Sequence, residues 1–467
     1  MFRAAKIAFV VLLVAVGSAG AAGGSGSAPS FKAPRGFDAS MKAGEGVALG
    51  DLNGDGKLDV VEAHGTEFPP ELQGLRGVSV LLGRGDGRLG PSHAYPTGKA
   101  GDELGAWSLA LGDVTGDGRP DVATGNPGAK SVSVLVNDGR GRFAAPVNYP
   151  LHRQPWDIAI VDLNGDGKLD ITTANQNTVS VLLNAGDGTF QDPFEYPGGR
   201  NTWGLAVGDL NGDGKLDLAL ANNTGSTVSV LLNRGDGSFG SAVDYPSGPG
   251  PRAIAMGDVD GDGIADVITA NGSSDPYREE WLDSVSVLRG KGDGTLRPKR
   301  TYRSRGELLF TSVRIGDVNG DHKPDLVTGD ASDDWAMSVF VNGGKGTFRR
   351  HFEYGSLSST SEAAGSGSEA VALGDLNGDR KLDVVEAMWD EVSVYVRAPG
   401  FCTVPYVESI QLSVARKRLA ERHCRLGKIR WRPGGVRGFV WSQRPLMGAV
   451  LSKGGKVDLV VSSGRAS

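Results

Sequence analysis

Aspartates recur along this chain in a nonapeptide of the form Asp-x-Asn-Gly-Asp-Gly-x-x-Asp, at residues 51–59, 113–121, 162–170, 209–217, 258–266, 317–325 and 375–383. Side-chain oxygens fall at positions 1, 3, 5 and 9 of each copy and a backbone carbonyl is available at position 7. Glycine at position 4, and in most copies at position 6, permits the sharp turn that lets those oxygens converge. That donor chemistry is hard, oxygen-only and suited to Ca²⁺. The donor sets are Asp51, Asn53, Asp55, Lys57 and Asp59; Asp113, Thr115, Asp117, Arg119 and Asp121; Asp162, Asn164, Asp166, Lys168 and Asp170; Asp209, Asn211, Asp213, Lys215 and Asp217; Asp258, Asp260, Asp262, Ile264 and Asp266; Asp317, Asn319, Asp321, Lys323 and Asp325; and Asp375, Asn377, Asp379, Lys381 and Asp383. The position 7 residue acts through its carbonyl, whatever its side chain. Up to seven structural calcium ions are expected, at affinities of roughly 10⁻⁴–10⁻³ M. Three loops depart from the pattern. Thr115 replaces the usual Asn, and His322 and Arg380 replace the glycine at position 6, where Arg380 also brings a cation beside the ion.

Such loops must be carried by something that repeats. Each is preceded by an apolar run and followed by another, and an alternating strand with a second glycine-rich turn comes later, as at residues 132–143, 179–190, 228–239 and 285–296. Successive first aspartates lie 62, 49, 47, 49, 59 and 58 residues apart, room for four short strands per unit. The spacing is that of propeller blades. Loop and turn recurring in register resemble the FG-GAP/VCBS repeat family, whose members form seven-bladed β-propellers like the head of integrin α chains. The resemblance covers residues 31–397. Residues 31–37 also resemble the outer-strand segment 190–196, so the start of the chain is expected to complete the seventh blade and close the ring. The fold class expected is mainly β, a seven-bladed β-propeller followed by a small α+β domain.

Charge divides at the same place. Residues 1–397 carry 36 Lys+Arg against 52 Asp+Glu, or −16, and residues 398–467 carry 13 against 3, or +10, together the net −6 of the chain. Seven Ca²⁺ would bring the first part to −2, so its acidity is largely that of the donor sets, and no nucleic-acid partner is expected. At the N-terminus, Arg3 and Lys6 precede an apolar run over residues 7–16 and small residues around Ala19–Ala21. This reads as a secretory signal over residues 1–22, too short to span a bilayer, with no membrane span after cleavage. A secreted or cell-wall-associated protein is expected, acting as a monomer.

Residues 401–463 resemble a PASTA domain, the module of bacterial wall-associated kinases and penicillin-binding proteins, through the run beginning Val404-Pro405-Tyr406-Val407-Glu408-Ser409 and the ending at residues 440–462. The resemblance implies one helix on a three-stranded sheet and a muropeptide or wall polymer as partner. Leu412, Ala415 and Leu419 supply the helix's apolar face. Gln411 stands where a capping Ser or Thr is common and His423 where glycine is common. In an exported chain holding two cysteines, pairing of Cys402 with Cys424 is the default, since neither a CxxC motif nor a histidine cluster argues for redox or metal chemistry. Arg416, Lys417, Arg418, Arg422, Arg425 and Lys428 crowd one stretch and read either as a wall-polymer contact or as a solvated charge run.

A second constellation lies six residues before each loop's first aspartate: Glu45, Trp107, Trp156, Trp203, Arg252, Thr311 and Glu369. In a propeller these circle the axial mouth opposite the calcium loops. Trp107, Trp156, Trp203, Arg252 and Glu369 form the candidate ligand face for an extracellular glycan or protein. The alternative is that the indoles plug the wide end of a tapered channel. Enlarged loops at residues 64–77, 271–284, 303–312, 329–337 and 355–369 fall on that same face, with Tyr277, Trp281 and Trp335 as aromatic candidates. There is no GxSxG, HExxH or P-loop, and the six histidines are scattered. Binding or adhesion is therefore the leading reading. The alternative is an extracellular polysaccharide- or lipid-acting lyase or hydrolase with a carboxylate pair on the face, for example Glu279 or Asp283 with Glu369.

Overall fold

The computed structural model describes residues 28–32, 34–39, 44–65, 76–99, 104–272, 284–304, 309–331, 337–354, 368–388, 391–398, 401–405, 407–445, 450–451 and 454–464. Seven antiparallel four-stranded sheets account for most of them. The innermost strands are Gly44–Gly50, Ser108–Gly112, Pro155–Val161, Thr202–Gly208, Pro251–Gly257, Phe310–Gly316 and Ser368–Gly374, in blades 1 to 7. Each packs against the next and the last packs against the first, so the sheets close into a seven-bladed propeller. The second strand of every blade, Asp59–His64 in blade 1 and Asp170–Asn175 in blade 3, is buried along its whole length. Both of its faces meet neighbouring blades, and runs rich in Val, Ile, Leu and Ala suit that placement. The core is accordingly divided into layers between adjacent blades. One such layer joins Val179 and Val181 of blade 3 to Leu205, Leu218 and Leu220 of blade 4.

Closure occurs where the sequence places it. Arg35–Asp38 is the outermost strand of blade 7 and pairs antiparallel with Glu391–Tyr395, in the register Arg35 to Val394 and Asp38 to Glu391. Phe31 bridges to Arg397 just as Phe190 bridges to Asn184 in blade 3. Its ring meets Tyr354 edge to face at 5.3 Å, repeating the contacts of Phe190 with Tyr149 (5.3 Å) and Phe239 with Tyr196 (5.4 Å). The outer-strand tyrosine of each of these blades thus rests on a turn phenylalanine of the next.

Polar stitches reinforce the contacts. Asn184 Nδ2 donates to the carbonyls of Val114 in the preceding blade and of Leu169 in its own, both at 2.8 Å. Asn137, Asn233 and Asn342 do the same at their own junctions.

After the ring come the helix Leu412–Glu421 and a three-stranded sheet ordered Arg425–Arg432, Lys456–Ser462, Val440–Arg444. Ala415 and Leu419 face its core, beside the disulfide Cys402–Cys424. Gln411 makes no side-chain cap, and His423 adopts a left-handed φ of 57°. The basic stretch is divided rather than uniform. Arg422 is buried, its guanidinium lying 4.7 Å from the Phe352 ring and 4.4 Å from that of Tyr354, and its Nη2 donates to the Glu353 carbonyl at 2.9 Å. Burial pushes Glu353 upward, but His351, Arg422 and Arg418 together hold it below the usual carboxylate range. Arg418 and Arg422 are therefore turned onto blade 6, while Arg416, Lys417, Arg425 and Lys428 are exposed. No helix among the described residues is long and apolar enough to cross a membrane. Residues 1–22, read as a signal, lie outside the described residues.

Candidate metal loops and axial mouth

The seven acidic loops connect the first and second strands of the blades, all at one end of the ring. In loop 1, Asp51 Oδ1 accepts the Gly54 N–H at 2.8 Å and Oδ2 the Gly56 N–H at 2.8 Å, curling the chain around that carboxylate. Asn53 accepts from Asp55 N–H, and Asp55 from Lys57 N–H. The same pattern holds in loops 3 and 4, headed by Asp162 and Asp209. Glycine at positions 4 and 6 has positive φ, 74° and 80° in loop 1. His322 and Arg380 keep that geometry at φ 63° and 64°, with their N–H groups still on Asp317 and Asp375. Thr115 behaves differently. Its hydroxyl donates toward Asp113 and Asp121 instead of accepting from position 5.

Position 9 lies beneath the loop. Asp59 Oδ2 accepts the Leu52 N–H at 2.9 Å and Oδ1 the Gly83 N–H at 2.7 Å, so this aspartate ties the loop to the end of the third strand. Asp121, Asp170, Asp217, Asp266 and Asp383 are held in the same way. Burial, and after it the neighbouring carboxylates, push Asp59, Asp170 and Asp383 up to about 6, Asp266 to about 7 and Asp325 to about 8. Asp325 Oδ2 is buried without a hydrogen-bond partner among the described residues. Carboxylate oxygens of Asp258, Asp260 and Asp262 lie within 4.8 Å of one another. Oxygen-only donors, crowded carboxylates and an unsatisfied buried oxygen fit a divalent hard cation. Position 7 adds a competing charge in most loops, as Lys57 Nζ stands 3.0 Å from Asp55 and Lys381 Nζ 3.1 Å from Asp379. Ile264 brings none, but Arg289 reaches Asp260 at 3.1 Å from a later turn.

At the opposite end of the innermost strands the second constellation comes together, by a device absent from the sequence reading. Register irregularities flank Glu45, Trp156, Trp203, Arg252, Thr311 and Glu369, so each is the extra residue of a bulge and is re-aimed out of the ladder. Trp107 meets Trp156 edge to face at 5.2 Å, Trp156 and Trp203 stack at 5.5 Å with 9° between planes, and Arg252 lies 5.3 Å from the Trp203 ring. The indoles thus form one continuous aromatic wall at the mouth rather than three separate platforms. Nε1 of Trp156 and of Trp203 is buried with no acceptor among the described residues. Glu369 is the bulged residue near the start of the blade 7 strand. Tyr277, Trp281, Trp335, Glu279 and Asp283 lie outside the described residues.

Two charged residues inside the ring escaped the sequence reading. Arg314 on the innermost strand of blade 6 is exposed, yet it interacts with Asp157 on the innermost strand of blade 3, which places it in the axial channel. The other blades carry alanine there: Ala48, Ala110, Ala159, Ala206, Ala255 and Ala372. That one break in a ring of alanines was the available signal. Asp157 accepts the N–H groups of Ile158 and Leu205, and burial raises it to about 6.

The sequence profile of the FG-GAP-like repeat matches residues 113–173, 162–220, 209–269 and 323–386. Similar solved structures include an Agrocybe aegerita lectin that recognises non-reducing terminal N-acetylglucosamine, 23% identical, with 67% of this chain and 80% of the lectin covered at a TM-score of 0.47. BBS1N in complex with ARL6DN is similar at 11% identity, with 79% of this chain and 98% of that one covered and a TM-score of 0.49. Among curated proteins none matches significantly.

Proposed function

We propose, from a closed propeller carrying FG-GAP-like repeats, that this chain is an exported, calcium-stabilised binding or adhesion protein whose C-terminal PASTA-like module holds it at the cell wall. Its ligand is an extracellular glycan or protein taken at the axial mouth. The observation that carries this reading is the convergence of Trp107, Trp156, Trp203 and Arg252 at one mouth, re-aimed there by bulges in three of the four strands. The two buried indole N–H groups are donors that a ligand oxygen would satisfy. Calcium in the seven loops supplies positive charge between crowded carboxylates and rigidifies the opposite end of the ring. The disulfide supports an oxidising compartment.

Support for the wall contact is a cavity of about 940 Å³ lined by Leu426, Gly427, Lys428, Arg444, Pro445, Lys456 and Asp458. Three cations against one carboxylate suit an anionic polymer. A glycan and peptidoglycan array, run on the whole chain with Ca²⁺ and with EDTA, tests the proposal. Calcium-dependent binding that a Trp203→Ala change weakens is the expected result. Binding indifferent to both calcium and Trp203 would refute the assignment of the mouth.

A further inference from the structure

Blade 6 and blade 3 share a feature that only blade 6 uses. The tripeptide Phe-Glu-Tyr occurs twice in the chain, as Phe352-Glu353-Tyr354 and as Phe194-Glu195-Tyr196, each on an outermost strand. The register is the same in both. Phe352 pairs with Val339 and Tyr354 with Met337, and Phe194 pairs with Val181 and Tyr196 with Val179. In both, the tyrosine rests edge to face on the turn phenylalanine of the following blade, Phe31 or Phe239. In both, the glutamate has a histidine beside it, His351 at 2.7 Å or His152 at 3.7 Å.

What differs is the cover. In blade 6 the Arg422 guanidinium lies over both rings and donates to the edge carbonyl of Glu353, leaving Phe352 only 8% exposed. In blade 3 nothing among the described residues covers the equivalent ring, and Phe194 is 54% exposed. On either side, Val147 and Val243 are 52% and 53% exposed at the corresponding positions of blades 2 and 4. Blade 5 carries Arg300 at that position.

We propose that the outer edge of blade 3, centred on Phe194, Glu195 and Tyr196, is a docking site for an arginine presented by the end of a helix in a partner protein, with Val147 and Val243 as its apolar flanks. The chain's own arrangement in blade 6 is the template. A planar guanidinium stacks on the aromatic face, donates to the free carbonyl of an edge strand and is balanced by the adjacent glutamate. Lysine cannot reproduce this, having a compact ammonium with no face to stack. The site is independent of the axial mouth and of calcium.

The test uses the one segment shown to fit such an edge. A fluorescently labelled peptide of residues 412–423 is titrated into the full-length protein and followed by anisotropy. Saturable binding below millimolar concentration is expected, weakened at least tenfold by Phe194→Ala and several-fold by Glu195→Gln in the protein or Arg422→Lys in the peptide. Phe352→Ala should leave it unchanged. Because Phe194 is exposed, the variant keeps the fold, which its melting curve verifies. Absence of saturation, or affinity that follows Phe352 and ignores Phe194, overturns the proposal. A concentration-dependent dimer abolished by Phe194→Ala would assign the edge to a second copy of this chain and overturn the partner-protein version.

Discussion

Removing the Asn184 side chain should destabilise the ring more than the same change at Asn137, although both asparagines occupy the same place in adjacent blades. Asn184 makes two donations at 2.8 Å and accepts the Gly186 N–H at 2.7 Å, and it is 3% exposed. A neutral hydrogen bond contributes about 1 kcal/mol net, and a buried group left without its partner loses about 1–3 kcal/mol. Asn184→Ala breaks three bonds and strands the Val114 carbonyl, for an expected loss of about 3–4 kcal/mol. Asn137 makes the equivalent three bonds, but the Leu52 carbonyl it serves also accepts the Gly141 N–H at 3.1 Å. Asn137→Ala should therefore be milder by about 1 kcal/mol. Urea unfolding of the full chain in saturating Ca²⁺ measures both, read as midpoint shifts at unchanged slope. Equal shifts, or a loss under about 1 kcal/mol at Asn184, would show that the amides do not fasten the blades as argued.

Arg380→Gly should raise stability by about 1 kcal/mol, because the residue sits at φ 64° and pays for a left-handed backbone that glycine adopts freely; an unchanged or lowered melting temperature refutes this. Phe31→Ala, at a ring 1% exposed between Tyr354 and Tyr395, should destabilise by about 3–5 kcal/mol, whereas Phe194→Ala should change stability by less than about 1 kcal/mol; comparable denaturation midpoints for the two variants would remove the clasp from the account. Chelation should reverse the pH dependence of stability. Asp59, Asp170 and Asp383 at about 6, Asp266 at about 7 and Glu386 and Asp325 at about 8 all lie above their unfolded values, so the folded state binds more protons than the unfolded one. In EDTA, stability should consequently fall as pH rises from about 4 to 8 and be lowest above that window. With Ca²⁺ present, protons compete with the ion and stability should fall on acidification instead; melting curves that run parallel in the two buffers would contradict the loops as metal sites.

Much of the ring was legible because it repeats. Once residues 190–196 define an outer strand, residues 31–37 are recognisable as another, and the closure of blade 7 follows without any structure. The acidic loops were legible for the same reason, down to the left-handed conformations forced on His322 and Arg380. The second task of position 9 was not. The motif presents Asp59 as a ligand, and only the paired ladder reveals that its oxygens also hold the backbone amides of Leu52 and Gly83, tying the loop to the third strand. The tryptophans were picked out by their spacing from the loops, but their aim depends on bulges, which composition does not encode. Arg422 reads as one cation among six, and its burial on blade 6 rests on a hydrogen bond to Glu353, 69 residues away in sequence.

The clasp also sets an order of events. The third strand of blade 1 is tied to its loop across 24 residues, through Gly83 N–H and Asp59. The ring is tied across 368, through the Ser30 hydroxyl and the Ala398 carbonyl. That loop is about fifteenfold longer, and its closure entropy is greater by roughly 2.4 kcal/mol. During synthesis the strand Arg35–Asp38 has no strand to pair with until Glu391–Tyr395 has emerged, so individual blades form from local pairings while the first strand waits. Folding of the ring is therefore completed from its seam. Until the seam shuts, Glu391–Tyr395 is one more unpaired edge, open to pairing with another molecule.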